Sequence, residues 1–382
     1  MRGEKIGLHN LCPVPTLLLA VCALFGGCSR GNKPLKPQSS PQPNTYRLAL
    51  REAEQDAPKD ELETAWKIDA RIILSGPEIK ILSRVGIKGD GSILVVDNER
   101  RSAEVYTSTG AYATALGGSG NEPGSQVWPS DITEAADESI AVSDFQGHRV
   151  NTFSKDGKFL SSFVYTPQNF SAQRVVYDPI LGVFYLFGNR WQTDGDGRIT
   201  GADLLHRYTL KGEFLASYFP FPEKAKSLDL YNFDSPDIDT YDDAIVIVLP
   251  FDYTLYQLDR TGVMSVLLKG EKTSFKEPST ALEPSKVPPQ DSYQYVQNWR
   301  MSWTPIVSML RVGEKILVEY QTFDKLRYTV DVWSRSSKTI IKSVKTNRLM
   351  LARSDDGHVY FLNNLENKGQ SKYEILRTKL QI

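Results

Sequence analysis

The chain has only three cysteines and four histidines in 382 residues, a formal net charge of −1, and no apolar run of transmembrane length. Each shortage removes a class of explanation. Cys12, Cys22 and Cys28 all fall near the start, so the rest has no thiol for a disulfide or a Cys-ligated metal. It needs no staple, because about 320 residues can bury a large core. Beyond His9 only His148, His206 and His358 remain. The strand assignment below puts all three away from the innermost strands, which argues against a three-His zinc site. Balanced charge argues against a general nucleic-acid role, which needs a basic surplus. No nucleophile elbow, phosphate loop or Cys pair occurs.

The first residues read as an address. Arg2 and Lys5 give a positive start, and Leu17 to Phe25 form an apolar core too short to span a bilayer. Gly26, Gly27 and Cys28 resemble a bacterial lipobox, with Phe25 where a small aliphatic residue is usual. The resemblance implies a signal peptide over residues 1–27 and lipidation of Cys28. Ser29 to Asn44 is rich in Pro, Ser, Gln and Lys, with Leu35 its sole large hydrophobic residue. Such a stretch cannot bury surface, so residues 28–45 are expected to form the anchor and a disordered tether. Attachment by more than one acyl chain is firm. Ser29 carries no obvious retention signal, so the expected location is the bacterial cell envelope, at the outer membrane rather than the inner.

Residues 46–382 are organised by a repeat. A hydrophobic strand begins at Ile93, Ile140, Val183, Ala244, Ile316 and Val359, at spacings of 47, 43, 61, 72 and 43. A second, more polar strand follows each one, as in AEVYTSTG after ILVVDN. A strand-only period of 40–50 residues is the mark of a β-propeller. The first strand of each pair, apolar throughout, suits the position called b, buried on both faces; the second suits c. Upstream lie inner a strands, including IKILSRVG, VWPSDIT, QRVVYDP and LYNFDSPDI; downstream lie five outer d strands. Six blades need six d strands, and KIDARIIL (Lys67 to Leu74) is the unclaimed strand. Placed on the last blade, it closes the ring and removes the open edge. The expected fold is therefore all-β: a six-bladed β-propeller of four-stranded antiparallel blades, closed by the N-terminal strand. Asp90-Gly91 and Asp356-Gly357 suit the tight a–b turns.

Gly117 to Phe163 resembles an NHL-type repeat. The matching parts are a Gly-rich lead, a Pro before the inner strand, a b strand ending in Asp144, Arg149 after a short loop, and an Asp-Gly turn. The first blade matches less fully, with Asp97 and the loop NERRS. The chain as a whole is similar to six-bladed propeller lipoproteins of exported bacterial proteomes, which implies a binding or scaffolding surface. The motif implies architecture, so Asp144 and Arg149 are expected to tie strand b to strand c by a charge-assisted hydrogen bond.

Propeller topology puts the d–a and b–c connections on one face. Both large insertions fall there: the expected b–c loop Asn189 to Leu204, and the d–a stretch from Gly270 to about Asn298 with its four prolines. Long loops on a rigid scaffold carry function, and Trp and Arg are frequent binding anchors. Trp128, Arg149, Arg190, Trp191, Trp299 and Arg300 are the candidate partner-binding residues. Asp131, Arg174, Asn232 and Asp234 are candidates to line the central channel. Gln192 to Asp203 resembles part of an EF-hand loop, with Asp194, Asp196 and Asp203 as calcium candidates, although Gln192 replaces the leading acid. No other cofactor is expected. The favoured reading is an exported scaffold for an envelope or extracellular protein or ligand. Two alternatives are a metal-dependent, lactonase-like hydrolase or lyase working at the channel mouth, and a structural subunit of an envelope assembly.

Overall fold

The computed structural model describes residues 60–165, 170–193, 199–224, 237–241, 244–270, 274–281, 288, 291, 294–295, 298–299, 301–322, 327–367 and 370–382, with backbone alone for 189–193, 199–202, 364–367 and 370–372. Cys28, the tether, Asp194, Asp196, Asn232, Asp234 and Arg300 lie outside the described residues.

The strands make six antiparallel four-stranded sheets. Blade one holds β2 (Leu82–Ile87), β3 (Ile93–Asp97), β4 (Ser102–Tyr106) and β5 (Tyr112–Ala115). Blade two holds β6 (Pro129–Glu134), β7 (Ile140–Asp144), β8 (Arg149–Phe153) and β9 (Phe159–Val164). Blade three holds β10 (Arg174–Asp178), β11 (Val183–Thr193), β12 (Ile199–Thr209) and β13 (Phe214–Pro220). Blade four holds β14 (Asp237–Thr240), β15 (Ala244–Leu249), β16 (Asp252–Asp259) and β17 (Met264–Lys269). Blade five holds β18 (Ile306–Val312), β19 (Lys315–Gln321), β20 (Tyr328–Ser334) and β21 (Thr339–Thr346). Blade six holds β22 (Leu349–Arg353), β23 (His358–Asn367), β24 (Gln370–Leu380) and, as its outer strand, β1 (Trp66–Ile73). The chain is a six-bladed β-propeller closed by its N-terminal strand, which pairs from Trp66 with Leu380 to Ile73 with Glu374.

The burial pattern explains the strand chemistry. Every residue of β3, β7 and β15 is buried, while the outer β9 exposes four of its six residues. Six apolar clusters fill the six seams between neighbouring blades. Each fully buried aliphatic or aromatic side chain contributes roughly 1.5–3 kcal/mol, so these seams hold the ring. Trp66 enters the seam between blades five and six, edge-on to Phe361 at 5.4 Å. Ile72 enters the seam between blades six and one.

Two segments differ from expectation. Asn189 to Leu204 is not a simple loop: β11 and β12 continue their ladder outward to Thr193 opposite Ile199. The cross-strand pairing runs on past the apolar part of the two strands, and the polar, Gly-rich composition of that stretch suggests a loop. The described inner strand of blade four is Asp237–Thr240, paired with Ile245 to Val248; it takes in the last two residues of LYNFDSPDI and runs on past them, the earlier ones lying outside the described residues.

Candidate functional site in the central channel

Inner strands run from the d–a face to the a–b face, so their first residues lie near one mouth of the channel and their last near the other. Near the first mouth, the predicted Asp131 and Arg174 do meet, Arg174 Nε lying 3.2 Å from Asp131 Oδ2. Arg174 also reaches Asp237 at 2.5 Å. Arg84 completes this tier. Burial lowers its pKa to about 10, with the Arg174 guanidinium adding to the effect and Asp131 and Asp237 opposing it. Burial pushes the Asp131 carboxyl upward, against the pull of Arg174 and Arg84.

The second tier sits at the a–b mouth. Asp239 accepts from Arg353 through both oxygens, at 2.9 and 3.0 Å. Arg260 donates to Asp178 at 3.3 and 3.2 Å and to the Tyr241 carbonyl at 3.3 Å. Arg311 lies 4.9 Å and Arg335 5.3 Å from the Tyr241 ring centroid.

These carboxylates also stitch blades together. Asp131 accepts from the Val175 amide at 2.9 Å, Asp237 from Met309 at 2.6 Å, and Asp239 from Arg311 at 2.9 Å. Glu319, fully buried on β19, accepts from the Met350 amide through both oxygens at 3.0 Å. In each case an acid near the channel takes an amide of a neighbouring blade, where an unpaired buried N–H would be costly. Charged hydrogen bonds of this kind are stronger than neutral ones. Sequence reasoning missed Arg84, Asp237, Asp239 and Arg353. The signal was the i, i+2 spacing of Asp237 and Asp239 about Ile238, which sends both acids to one face of a strand.

The residues expected on the partner-binding face divide differently. Arg149 is buried and held: Nε donates to Asp144 at 3.3 Å, and its other nitrogens donate to the carbonyls of Asn121, Gly120 and Ser125. Asp144 in turn accepts from the amides of Val127, Trp128 and Gly147. Arg149 is therefore a structural clamp rather than an available anchor. Asp97 plays the corresponding part in blade one with the amides of Lys80, Ile81, Glu99 and Arg100. Trp299 is also no exposed anchor: it is 6% exposed, edge-on to Trp303, with its indole N–H donating to the Thr280 carbonyl. Trp128 is half-buried. Arg190 and Trp191 lie on the β11–β12 ribbon, opposite Asp203 and Ala202.

The histidines are dispersed. His148 Nδ1 faces the Phe170 carbonyl, His206 bridges Ser217 and the Gly188 carbonyl, and His358 lies 3.1 Å from Asp69 and 2.8 Å from Asp356. Among the described residues no three His, Cys, Asp or Glu side chains cluster as metal ligands.

No family model matches the chain, and no curated protein matches it. Solved structures do. A protein from Bacteroides fragilis described as exported is similar over 85% of this chain and 98% of its own, at 12% identity and a TM-score of 0.61. A member of the DUF4221 family from Bacteroides vulgatus is similar over 83% and 98%, at 10% identity and a TM-score of 0.56. At such identities the likeness shows the fold alone.

Proposed function

We propose that the chain is an exported, lipid-anchored propeller with NHL-type repeats that acts as a binding scaffold through the face carrying its b–c and d–a connections. The observation that carries this reading is a pair of overlong b–c hairpins. β11 and β12 each run 11 residues, and β23 and β24 run 10 and 11, against five in β3, β4, β7 and β8. They belong to blades three and six, half a ring apart, so two ribbons rise from one face on opposite sides. A ligand lying across that face would meet both. Long excursions from a rigid scaffold are the usual carriers of recognition. The address at residues 1–28 supports export, and the description of the B. fragilis neighbour agrees with it. The charges of the channel, by contrast, are engaged in stitching blades together, which favours binding over catalysis.

The test is photo-crosslinking from Trp191 on one ribbon, Asn364 on the other, and Gly313 on the opposite face, in native membranes. The expected result is one common adduct from both ribbon positions and none of it from Gly313. No adduct, or the same adduct from all three positions, would overturn the reading.

A further inference from the structure

Six amides ring the first mouth of the channel at one level. They belong to Val85, Ile132, Val175, Ile238, Met309 and Met350, one per inner strand, and each of these side chains enters a different seam. Five of the amides are capped by a carboxylate. Asp131 serves Ile132 and Val175, Asp237 serves Ile238 and Met309, and Glu319 serves Met350. Val85 is the sixth. The Lys88 amide donates to the Ser92 carbonyl, and the ladder runs unbroken from there to Arg84 opposite Val96. Bonded and unbonded pairs alternate along such a ladder, so Val85, in an unbonded pair with Val95, turns its N–H toward the channel. Neither position that could cap it holds an acid. The residue before it, where blades two and four carry Asp131 and Asp237, is Arg84, and the matching residue of the preceding blade is Leu349. Among the described residues no acceptor reaches the Val85 amide.

A second feature points to a ligand. Arg84 is the exception to the stitching of the channel charges. Asp131 and Asp237 are both spent on Arg174, at 3.2 and 2.5 Å, and on amides. Among the described residues none makes a hydrogen bond or ion pair with Arg84, and its Nε is buried without an acceptor. The fields of Asp131 and Asp237 do not offset that burial, which brings the Arg84 pKa down to about 10. A buried donor left unsatisfied is costly, and more so when charged. The two orphan donors also share one place. Asp131 and Asp237 each reach the amide of the residue that follows them, so a side chain at this position lies beside that N–H.

We propose that the channel binds one small monovalent anion, a halide or a short carboxylate, which accepts from the Val85 amide and from Arg84 and so takes the place of a sixth acid. Asp131 and Asp237, in the same tier, disfavour a second negative charge on the ligand. The site does not depend on the scaffold reading. Thermal unfolding of the full chain at constant ionic strength tests it, with gluconate as the bulky reference anion and chloride or acetate replacing it stepwise. At least one of the two small anions is expected to raise the melting temperature by roughly 2–4 °C and then saturate, since a ligand that binds only the folded state stabilises it. The two arms separate halide from carboxylate. Arg84→Gln is expected to melt in gluconate no lower than the parent chain and to lose the response. Leu349→Asp supplies the sixth carboxylate from the chain itself, placed toward Val85 as Asp131 is toward Val175. It should melt higher than the parent chain in gluconate and gain nothing from chloride or acetate. Two results would overturn the proposal. No saturable response in the parent chain would mean that water alone caps Val85, and a response undiminished in Arg84→Gln would mean a general salt effect.

Discussion

At the scale of single residues, the channel and its rim show how polar groups become structural when the seams leave amides to satisfy. Asp144 and Arg149 make one such unit, both buried. Removing one partner strands the other, which typically costs 3–5 kcal/mol. Arg149→Ala is therefore expected to lower unfolding free energy by about that much in urea. Arg149→Lys should recover only a minor share, because one ammonium cannot serve a carboxylate and three carbonyls at once. The unit tolerates no crowding: a Cβ on Gly147 would sit 2.2 Å from Asp144 Oδ2. Glu319 gives a pH signature. Burial holds its carboxyl well above the usual range, the Met350 amide opposing. The folded state thus keeps a proton that the unfolded chain releases above about pH 4.3. The stability tied to that proton is complete below this pH and is lost as pH rises toward the folded value. Glu319→Gln retains an acceptor for Met350 and removes the penalty. It is expected to raise the melting temperature at pH 8 by roughly 2–4 °C, for about 1 kcal/mol, and to leave it unchanged at pH 4. A drop at both pH values would show that the charge itself is needed.

At the scale of elements, ring closure was legible because counting strands left KIDARIIL without a blade, and β1 takes that place. The b strands were legible because burial on both faces demands a continuous apolar run. The inner strand of blade four was legible only in part, because its work is split between a seam residue, Ile238, and two channel acids, and so its end reads as polar. The β11–β12 ribbon was not legible, because its pairing extends beyond the core that hydrophobic patterning reports. The closing strand also makes a sharp prediction. Deleting residues 60–73 would bare the edge of β24 and strip Trp66 and Ile72 from two seams. An exposed edge templates pairing with other chains, so size-exclusion chromatography should show oligomers or aggregate. Trp66→Ala keeps the edge covered: it should stay monomeric while losing roughly 3–5 kcal/mol. A monomeric, folded deletion variant would mean that β1 does not hold the ring shut.

At the scale of the whole molecule, the candidate sites were the least legible feature, since they are assembled from distant blades. Asp237 meets Met309 across 72 positions, and Asp239 meets Arg353 across 114. No local motif announces such a juxtaposition; only the ring creates it. Asp239 holds Arg353 through both oxygens and accepts the Arg311 amide, so one side chain of blade four ties blades five and six. Asp239→Asn keeps an acceptor for the amide but leaves Arg353 without its main counter-charge. The expected stability loss is about 3 kcal/mol, as for a broken buried pair. Urea denaturation of the variant reads it, and an unchanged unfolding free energy would mean that this pair does not help to hold the ring.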